Sequence, residues 1–278
     1  YCHADTLVLF SQAQSVSANN GTCPFDNDAD GLVAAEGYIS VVLKTLDRAM
    51  ADGDPIQAVI RRIGISSDGK GKSLWAPRAE GQVEAIHRAY GQDLSLNDLQ
   101  YIEMHATSTQ VGDATEIDAL TRVLKDVLPT GKKVAVGSVK ANVGHTLESA
   151  GLTSLLKTVL AMQHATIPPQ INIKKLNEKI DWENVPFYVP QETTAWPSPA
   201  PDSPRRAAVN AFGIGGLNVH VVLDEHLPEV SRKLIATPTE QNAATDVEEE
   251  GIAIIGMGAV LPGARTIDAL WDVIHSGE

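Results

Sequence analysis

Cysteine is nearly missing from this sequence. With only Cys2 and Cys23 in 278 residues, a disulfide framework and a four-thiolate zinc site are both excluded. Eight histidines without close His/Cys clustering give metal ligation little support, and no metal is expected. Basic residues are also short: 22 Lys and Arg face 35 Asp and Glu, a net charge of −13. Such a chain lacks the basic face whose counterion release drives phosphate-backbone binding, so nucleic acid is not an expected partner. No apolar run approaches the roughly 18–20 residues that span a bilayer, and the N-terminus has neither the basic flank nor the apolar stretch of a secretory signal. The reading is a cytoplasmic protein with no membrane partner. What is present, 43% hydrophobic residues, suffices for a sizeable core of one large or two ordinary domains.

Short β-rich runs alternate with helical patterns along the chain. Residues 38–44, 56–65, 99–104, 134–140, 207–212 and 219–223 read as strands, and 81–90, 114–126 and 146–163 as helices. In the last helix Leu152, Leu155, Leu156, Val159 and Leu160 form one broad apolar stripe suited to docking on a sheet. This alternation implies an α/β fold. Residues 226–250 turn polar and acidic, ending in DVEEE, and read as a linker. At Gly251 a new apolar strand opens, followed by a Gly/Pro turn and a helical pattern over 267–274, which reads as the start of a second folding unit. Tyr1 in place of an initiator methionine, and an end at Glu278 within a helical pattern, read as a fragment.

Three segments carry groups able to do chemistry. In the first, YIEMHATSTQVGDATEID at 101–118, His105 stands at a strand end with Thr107, Ser108 and Thr109 after it. A satisfied half-buried histidine beside ordinary turn chemistry explains it as well. Asp113 and Glu116 fit a capping-box pair feeding a helix at Ala114, and Glu116 fits a functional role equally. In the second, VAVGSVKANVGHTLESAG at 134–151, Lys140 and His145 flank a turn between a buried strand and a buried helix. Both residues there carry desolvation costs, usually tolerated where groups have partners or a task. A helix N-terminus beside His145 disfavours imidazolium and leaves a neutral ring. The third, NAFGIGGLN at 210–218, is either a tight hairpin or a place where a main-chain N–H is aimed at a ligand. GMGAVLPG at 256–263 has the wrong glycine spacing for a dinucleotide loop.

Together and in this order, HATST at 105–109, SVKANVGH at 138–145 and FGIGG at 212–216 resemble the β-ketoacyl synthase (ketosynthase) family of fatty-acid and polyketide synthases. PFDNDADGLVAAEG at 24–37 is similar to the segment ending the first half of that fold. The resemblance covers residues 1–225, the C-terminal portion of one ketosynthase, and implies an incomplete thiolase-like α/β fold. IAIIGMGAVLPGA at 252–264 resembles the opening of a second ketosynthase, with 226–250 as the acidic linker between them.

Carried over residue by residue, the resemblance implies His105 and His145 as the catalytic histidines, with Lys140 supporting them and Glu116 as its ionic partner. Thr107 and Thr109 would bind phosphopantetheine, and the Ile214 N–H would serve an oxyanion hole. The implied reaction is decarboxylative Claisen condensation of an acyl thioester with malonyl-carrier protein. Its partners would be an acyl carrier protein, which brings the phosphopantetheine, and a second copy in a homodimer; the domain itself would bind no cofactor. Because a net negative surface would not by itself attract an acidic carrier, a local basic patch is expected, including Arg61, Arg62 or Arg78, which a simply solvated face explains as well. Neither Cys2 nor Cys23 lies in a small-residue nucleophile elbow, so the acyl-bearing cysteine is expected outside the chain, which alone would be inactive. The rival readings are a decarboxylase-only or non-catalytic scaffold, and a coenzyme A thiolase, disfavoured because no cysteine follows Cys23.

Overall fold

The computed structural model describes residues 4–71, 76–91, 94–236 and 251–277. In chain order the elements are α1 (Ala4–Gln12), β1 (Tyr38–Thr45), α2 (Leu46–Asp52), β2 (Ala58–Ser67), α3 (Ala79–Tyr90), β3 (Leu99–Glu103), α4 (Gln110–Leu124), β4 (Val134–Gly137) and α5 (Lys140–Val143). They continue with α6 (Ala150–Gln163), β5 (Thr166–Ile167), β6 (Phe187–Tyr188), β7 (Thr194–Ala195), β8 (Arg206–Phe212), β9 (Leu217–Asp224), α7 (Pro228–Ala236), β10 (Ile252–Val260) and α8 (Ile267–Ser276). One eight-stranded sheet runs β1-β10-β2-β9-β8-β3-β4-β6, and β5 pairs with β7 apart from it.

The strands β6, β4, β3 and β8 are parallel, and β9, β2, β10 and β1 continue the sheet with antiparallel pairings. Parallel strands are covered on both faces, which is why all four residues of β4 (VAVG) are buried. On one face Ile86 of α3 and Ile117, Leu120 and Leu124 of α4 pack against Ile102, Val136 and Val222. On the other, Leu155, Val159 and Met162 of α6 pack against Tyr101, Ala135 and Val209. Successive strand residues point to opposite faces, so Tyr101 and Ile102 serve different cores. An irregularity between Leu99 and Tyr101 in the β3–β8 register lets Leu99 share the face of Ile102.

The structure departs from the sequence reading at four places. First, α4 begins at Gln110 with Thr109 in the cap position, so Asp113 is already inside the first turn. Second, α6 is buried on two sides: Leu155 and Val159 face the sheet, whereas Leu156 and Leu160 pack with Leu270 and Ile274 of α8, and Leu152 lies at the surface. Third, residues 228–236 form α7, where Ser231 is buried and bonded to the His226 ring. The expected linker is thus helical at its start; residues 237–250 lie outside the described residues. Fourth, β10 enters the first sheet, antiparallel between β1 and β2, and α8 docks on α6 with Trp271 stacked on His164 at 4.0 Å. Among the described residues, no helix is long and apolar enough to cross a membrane.

Candidate active site

Parallel strands deliver their carboxyl ends to one rim of a sheet, and ligands sit there, where neighbouring connections diverge. Here that rim receives Glu103 at the end of β3, Gly137 at the end of β4 and Phe212 at the end of β8, with β3 between the other two. His105 follows β3 by two residues, and Lys140 opens the short α5 after β4. The His105 and His145 rings, forty residues apart in sequence, approach edge to face with centroids 5.7 Å apart and an interplanar angle of 84°. Phe212 lies beside them, its ring 5.5 Å from that of His105.

Side chains brace His105. Glu116, buried on the inner face of α4, accepts the N–H groups of His105 and Ala106, both at 2.9 Å. The chain then turns at Ser108, a non-glycine residue with φ 65°. That conformation persists because its hydroxyl accepts the Cys23 N–H at 2.8 Å and its carbonyl accepts that of Gly31 at 2.8 Å. Asp113 reaches the Phe25 N–H at 3.0 Å as well as the Thr109 N–H at the start of its own helix, so it joins two distant segments.

Main chain braces His145. Its N–H donates to the Val33 carbonyl at 2.8 Å, and its carbonyl accepts the Ala35 N–H at 2.9 Å. Gly144 makes this approach possible: it has φ 76°, and a Cβ there would meet the Val33 oxygen at 2.9 Å. The segment 24–37 therefore holds the second histidine in place. Because α6 starts only at Ala150, after a single 3-10 turn at Leu147–Ser149, a helix N-terminus is not what keeps the ring neutral.

Electrostatics give both rings one state. Burial first, then the Lys140 cation, hold His105 well below the usual imidazole range, and the same two causes lower His145 to about 3. Both are neutral at physiological pH. Their Nδ1 atoms accept main-chain N–H groups, from Phe212 at 3.3 Å for His105 and from Leu147 at 3.0 Å for His145. A neutral imidazole accepting at Nδ1 carries its proton on Nε2. The site thus presents two Nε2–H donors, with Lys140 as a buried source of positive field.

Burial lowers the Lys140 ammonium, and Glu103, Glu116 and Asp113 oppose that through their charge. Glu116 acts on Lys140 through its field, not through the expected ion pair; its oxygens are taken by His105, Ala106 and, at 2.7 Å, the Asn210 amide. Thr107 and Thr109 stand half-buried, hydroxyls 3.5 Å apart. Ile214 has an exposed side chain in the turn between β8 and β9, where Gly215 and Gly216 adopt positive φ. Burial and then Asp26 and Asp30 push the Cys23 thiol up, away from the thiolate a nucleophile needs. Cys2 lies outside the described residues. Of the three arginines, Arg61 is turned onto Asp224 at 2.6 Å, Arg62 donates to the Tyr90 carbonyl, and Arg78 donates to the Asp68 carbonyl.

Sequence reasoning missed the groups behind this layer. Glu103 accepts from Lys157 at 2.8 Å and from the Tyr101 hydroxyl at 2.6 Å, all of them buried. The clue was visible as one acid in an otherwise apolar strand and one lysine in the apolar stripe of α6. Asn210 and His220 alternate with apolar residues on neighbouring strands and gave no comparable signal.

A half-buried His105 and a buried His145 thus meet beside a buried lysine at the rim of a parallel sheet, and the chain that carries them matches known families. The description "Beta-ketoacyl synthase, N-terminal domain" matches residues 1–49, "Beta-ketoacyl synthase, C-terminal domain" matches 57–174, and "Ketoacyl-synthetase C-terminal extension" matches 177–249. The chain belongs to the β-ketoacyl synthase family and has its thiolase-like fold.

Among its relatives are polyketide synthases, and among its structural neighbours are ketosynthase domains. It is 40% identical over 229 residues to the highly reducing polyketide synthase srdA of Neurospora crassa, covering 79% of this chain and 10% of that protein. It is 37% identical to polyketide synthase PksL of Bacillus subtilis, covering 82% of this chain and 5% of that one. Among solved structures it superposes on the module 6 ketosynthase of the bacillaene synthase from Bacillus subtilis 168, with TM-score 0.75, 28% identity, and coverage of 99% of this chain and 54% of that one. A second, the oxazolomycin ketosynthase domain of Streptomyces albus JA3453, gives TM-score 0.73 at 27% identity, covering 99% and 52%. The chain spans at most about a tenth of these two curated relatives and about half of these solved chains.

Proposed function

We propose that this chain is the histidine-bearing part of a ketosynthase that performs decarboxylative Claisen condensation in polyketide synthesis. The observation that carries the reading is the convergence of two neutral imidazoles, 5.7 Å apart, each with Nδ1 occupied by a main-chain N–H. When a malonyl thioester loses CO₂, the electron pair of the broken C–C bond moves into the thioester, and negative charge grows on its carbonyl oxygen. Two Nε2–H donors stabilise that oxygen where the charge develops, at roughly 3–4 kcal/mol for a well-placed donor. The enolate carbon then attacks an acyl thioester on cysteine, forming the new C–C bond and expelling the thiolate. The product is a β-ketoacyl thioester on the carrier.

The acyl-bearing cysteine is read as lying outside this chain, since the Cys23 environment opposes a thiolate. Thr107 and Thr109 sit at the rim, where hydrogen bonds to phosphopantetheine are available, and the Ile214 N–H belongs to the glycine turn that follows Phe212. The partner would be an acyl carrier protein, and the working enzyme a cytoplasmic homodimer. Residues 251–278 are read, on the sequence IAIIGMGAVLPGA, as the opening of a second ketosynthase unit whose first strand here fills the place between β1 and β2 of the first sheet.

The test is single-turnover condensation by the intact synthase, with malonyl carrier and a pre-acylated cysteine. His105→Ala and His145→Ala should each abolish CO₂ release while leaving acylation of the cysteine intact. Unchanged decarboxylation in either variant overturns the reading.

A further inference from the structure

Behind Glu116 runs a buried chain of side chains that the proposed chemistry leaves unused. The Asn210 amide nitrogen donates to Glu116 Oε1 at 2.7 Å, and the Asn210 carbonyl oxygen meets His220 Nδ1 at 2.6 Å. Asn210 and His220 are 1% and 0% exposed. The direction of every bond in this chain follows from the carboxylate. Glu116 already accepts the His105 and Ala106 N–H groups, so the side of Asn210 facing it must be the NH₂. Its oxygen then faces His220, whose Nδ1 must donate. His220 Nε2 is left as a bare, buried acceptor without a partner, beside the equally unpartnered Tyr90 hydroxyl, with the two rings 5.6 Å apart.

On the reading of His105 as a catalytic group, we propose that His220 is a positioning residue that acts on it through Asn210 and Glu116. The physical reason is amide orientation. Without the His220 donor, the Asn210 oxygen is left buried and unpaired, so the amide is held at its nitrogen end alone and can turn away from Glu116 to find a partner. Glu116 would then shift, and the His105 main chain with it. Burial lowers His220 to about 3, consistent with a ring that stays neutral and keeps one fixed tautomer. The donors that stabilise a developing oxyanion must hold their geometry before the reaction, so an error of about 1 Å costs up to roughly a hundredfold in rate.

The experiment uses the intact synthase and separates acylation of the cysteine from condensation. His220→Leu should lower the condensation kcat by at least about tenfold, with KM for malonyl carrier and the acylation rate unchanged. His220→Asn, whose amide nitrogen can take the place of Nδ1, should recover most of the loss. Asn210→Leu should show the same fall, and the double variant no further fall, because both changes break one chain. Full kcat in His220→Leu overturns the proposal, as does an equal loss in His220→Asn or a multiplied loss in the double variant. If His220→Leu does not fold, the comparison rests on His220→Asn and Asn210→Leu alone: near-normal kcat in the first with a fall in the second supports the proposal, and any other pairing overturns it. Failure of the functional reading looks different, as intact synthase that acylates its cysteine but forms no β-keto product.

Discussion

His105 hangs from side chains and His145 hangs from main chain. The first is held by a buried carboxylate on α4, itself steadied by Asn210 and His220. The second is clamped between the Val33 carbonyl and the Ala35 N–H, through a glycine that no side chain could replace without moving the neighbouring segment. Both rings end in the same neutral state with the same nitrogen free. A side-chain brace is sensitive to charge and to the tautomers of its partners, whereas a main-chain brace is sensitive to sterics. The two histidines should therefore fail in different ways when their supports are removed.

The largest effect is expected at Glu116. Glu116→Ala leaves the buried N–H groups of His105 and Ala106 and the Asn210 amide without their acceptor, and each such orphan costs about 1–3 kcal/mol. Condensation should fall by at least about a hundredfold, with Glu116→Gln intermediate because it keeps one acceptor oxygen. Gly144→Ala comes next. At φ 76° the new Cβ would meet the Val33 oxygen and the Ala35 Cβ, both at 2.9 Å, so the clamp opens and condensation falls by about tenfold or more. A Val33→Gly change beside it should relieve little, since the clash is with main chain. Equal sensitivity of both braces to Glu116→Gln would erase the distinction between them.

Lys140 tests what the two braces share. Its cation lowers both imidazoles after burial has done so. Lys140→Met removes that cation, so both folded-state values should rise and the acid limb of the pH–rate profile should move to higher pH. With the lysine present, His145 stays neutral down to about 3, so no limb from that ring should appear between pH 5 and 8. A profile that does not move in Lys140→Met would mean that burial alone sets the state of the rings.

Much of this site could be read from the chain. HATST and FGIGG place His105 and Phe212 at strand ends, SVKANVGH places Lys140 and His145 in the connection leaving the end of β4, and strand ends of parallel sheets share a rim. What the motifs do not carry is the partner of each group. Glu116 reads as half of a capping box because its spacing from Asp113 is local, whereas its true contacts lie eleven residues upstream and on β8. Glu103 with Lys157, and Asn210 with His220, are tertiary pairs that no periodicity announces. The same limit explains α6, whose second apolar side has no visible use until α8 covers it, and β10, whose place between β1 and β2 is a matter of sheet edge and not of local pattern.

Asp113 offers a smaller effect with a distinct sign. Burial pushes its carboxyl up to about 7, with Glu116 adding to it, against an unfolded value of roughly 3.9. Between those values the folded chain binds more protons than the unfolded one, so this group's contribution is fully present below about pH 4 and is lost as pH rises through 7. Asp113→Asn keeps an acceptor for the Phe25 N–H and cannot titrate. Its melting temperature relative to the parent should therefore improve from pH 5 to about pH 7 and level off above it. A constant difference across that range would show that Asp113 is ionised throughout.

The smallest effect belongs to the rim. Thr107 and Thr109 are half-buried, so a lost hydrogen bond to a phosphopantetheine arm there is partly replaced by water. Such a bond is worth about 0.5–1.5 kcal/mol, or roughly a two- to tenfold change in affinity. Thr107→Val keeps the shape and removes the hydroxyl. It should raise KM for malonyl carrier within that range and leave kcat unchanged, because on the proposed role the hydroxyl would hold the arm equally before and during bond formation. This opposes the pattern at Glu116, where kcat falls and KM holds. A fall in kcat for Thr107→Val would place Thr107 inside the brace of His105, extending that side-chain support to the very edge of the site.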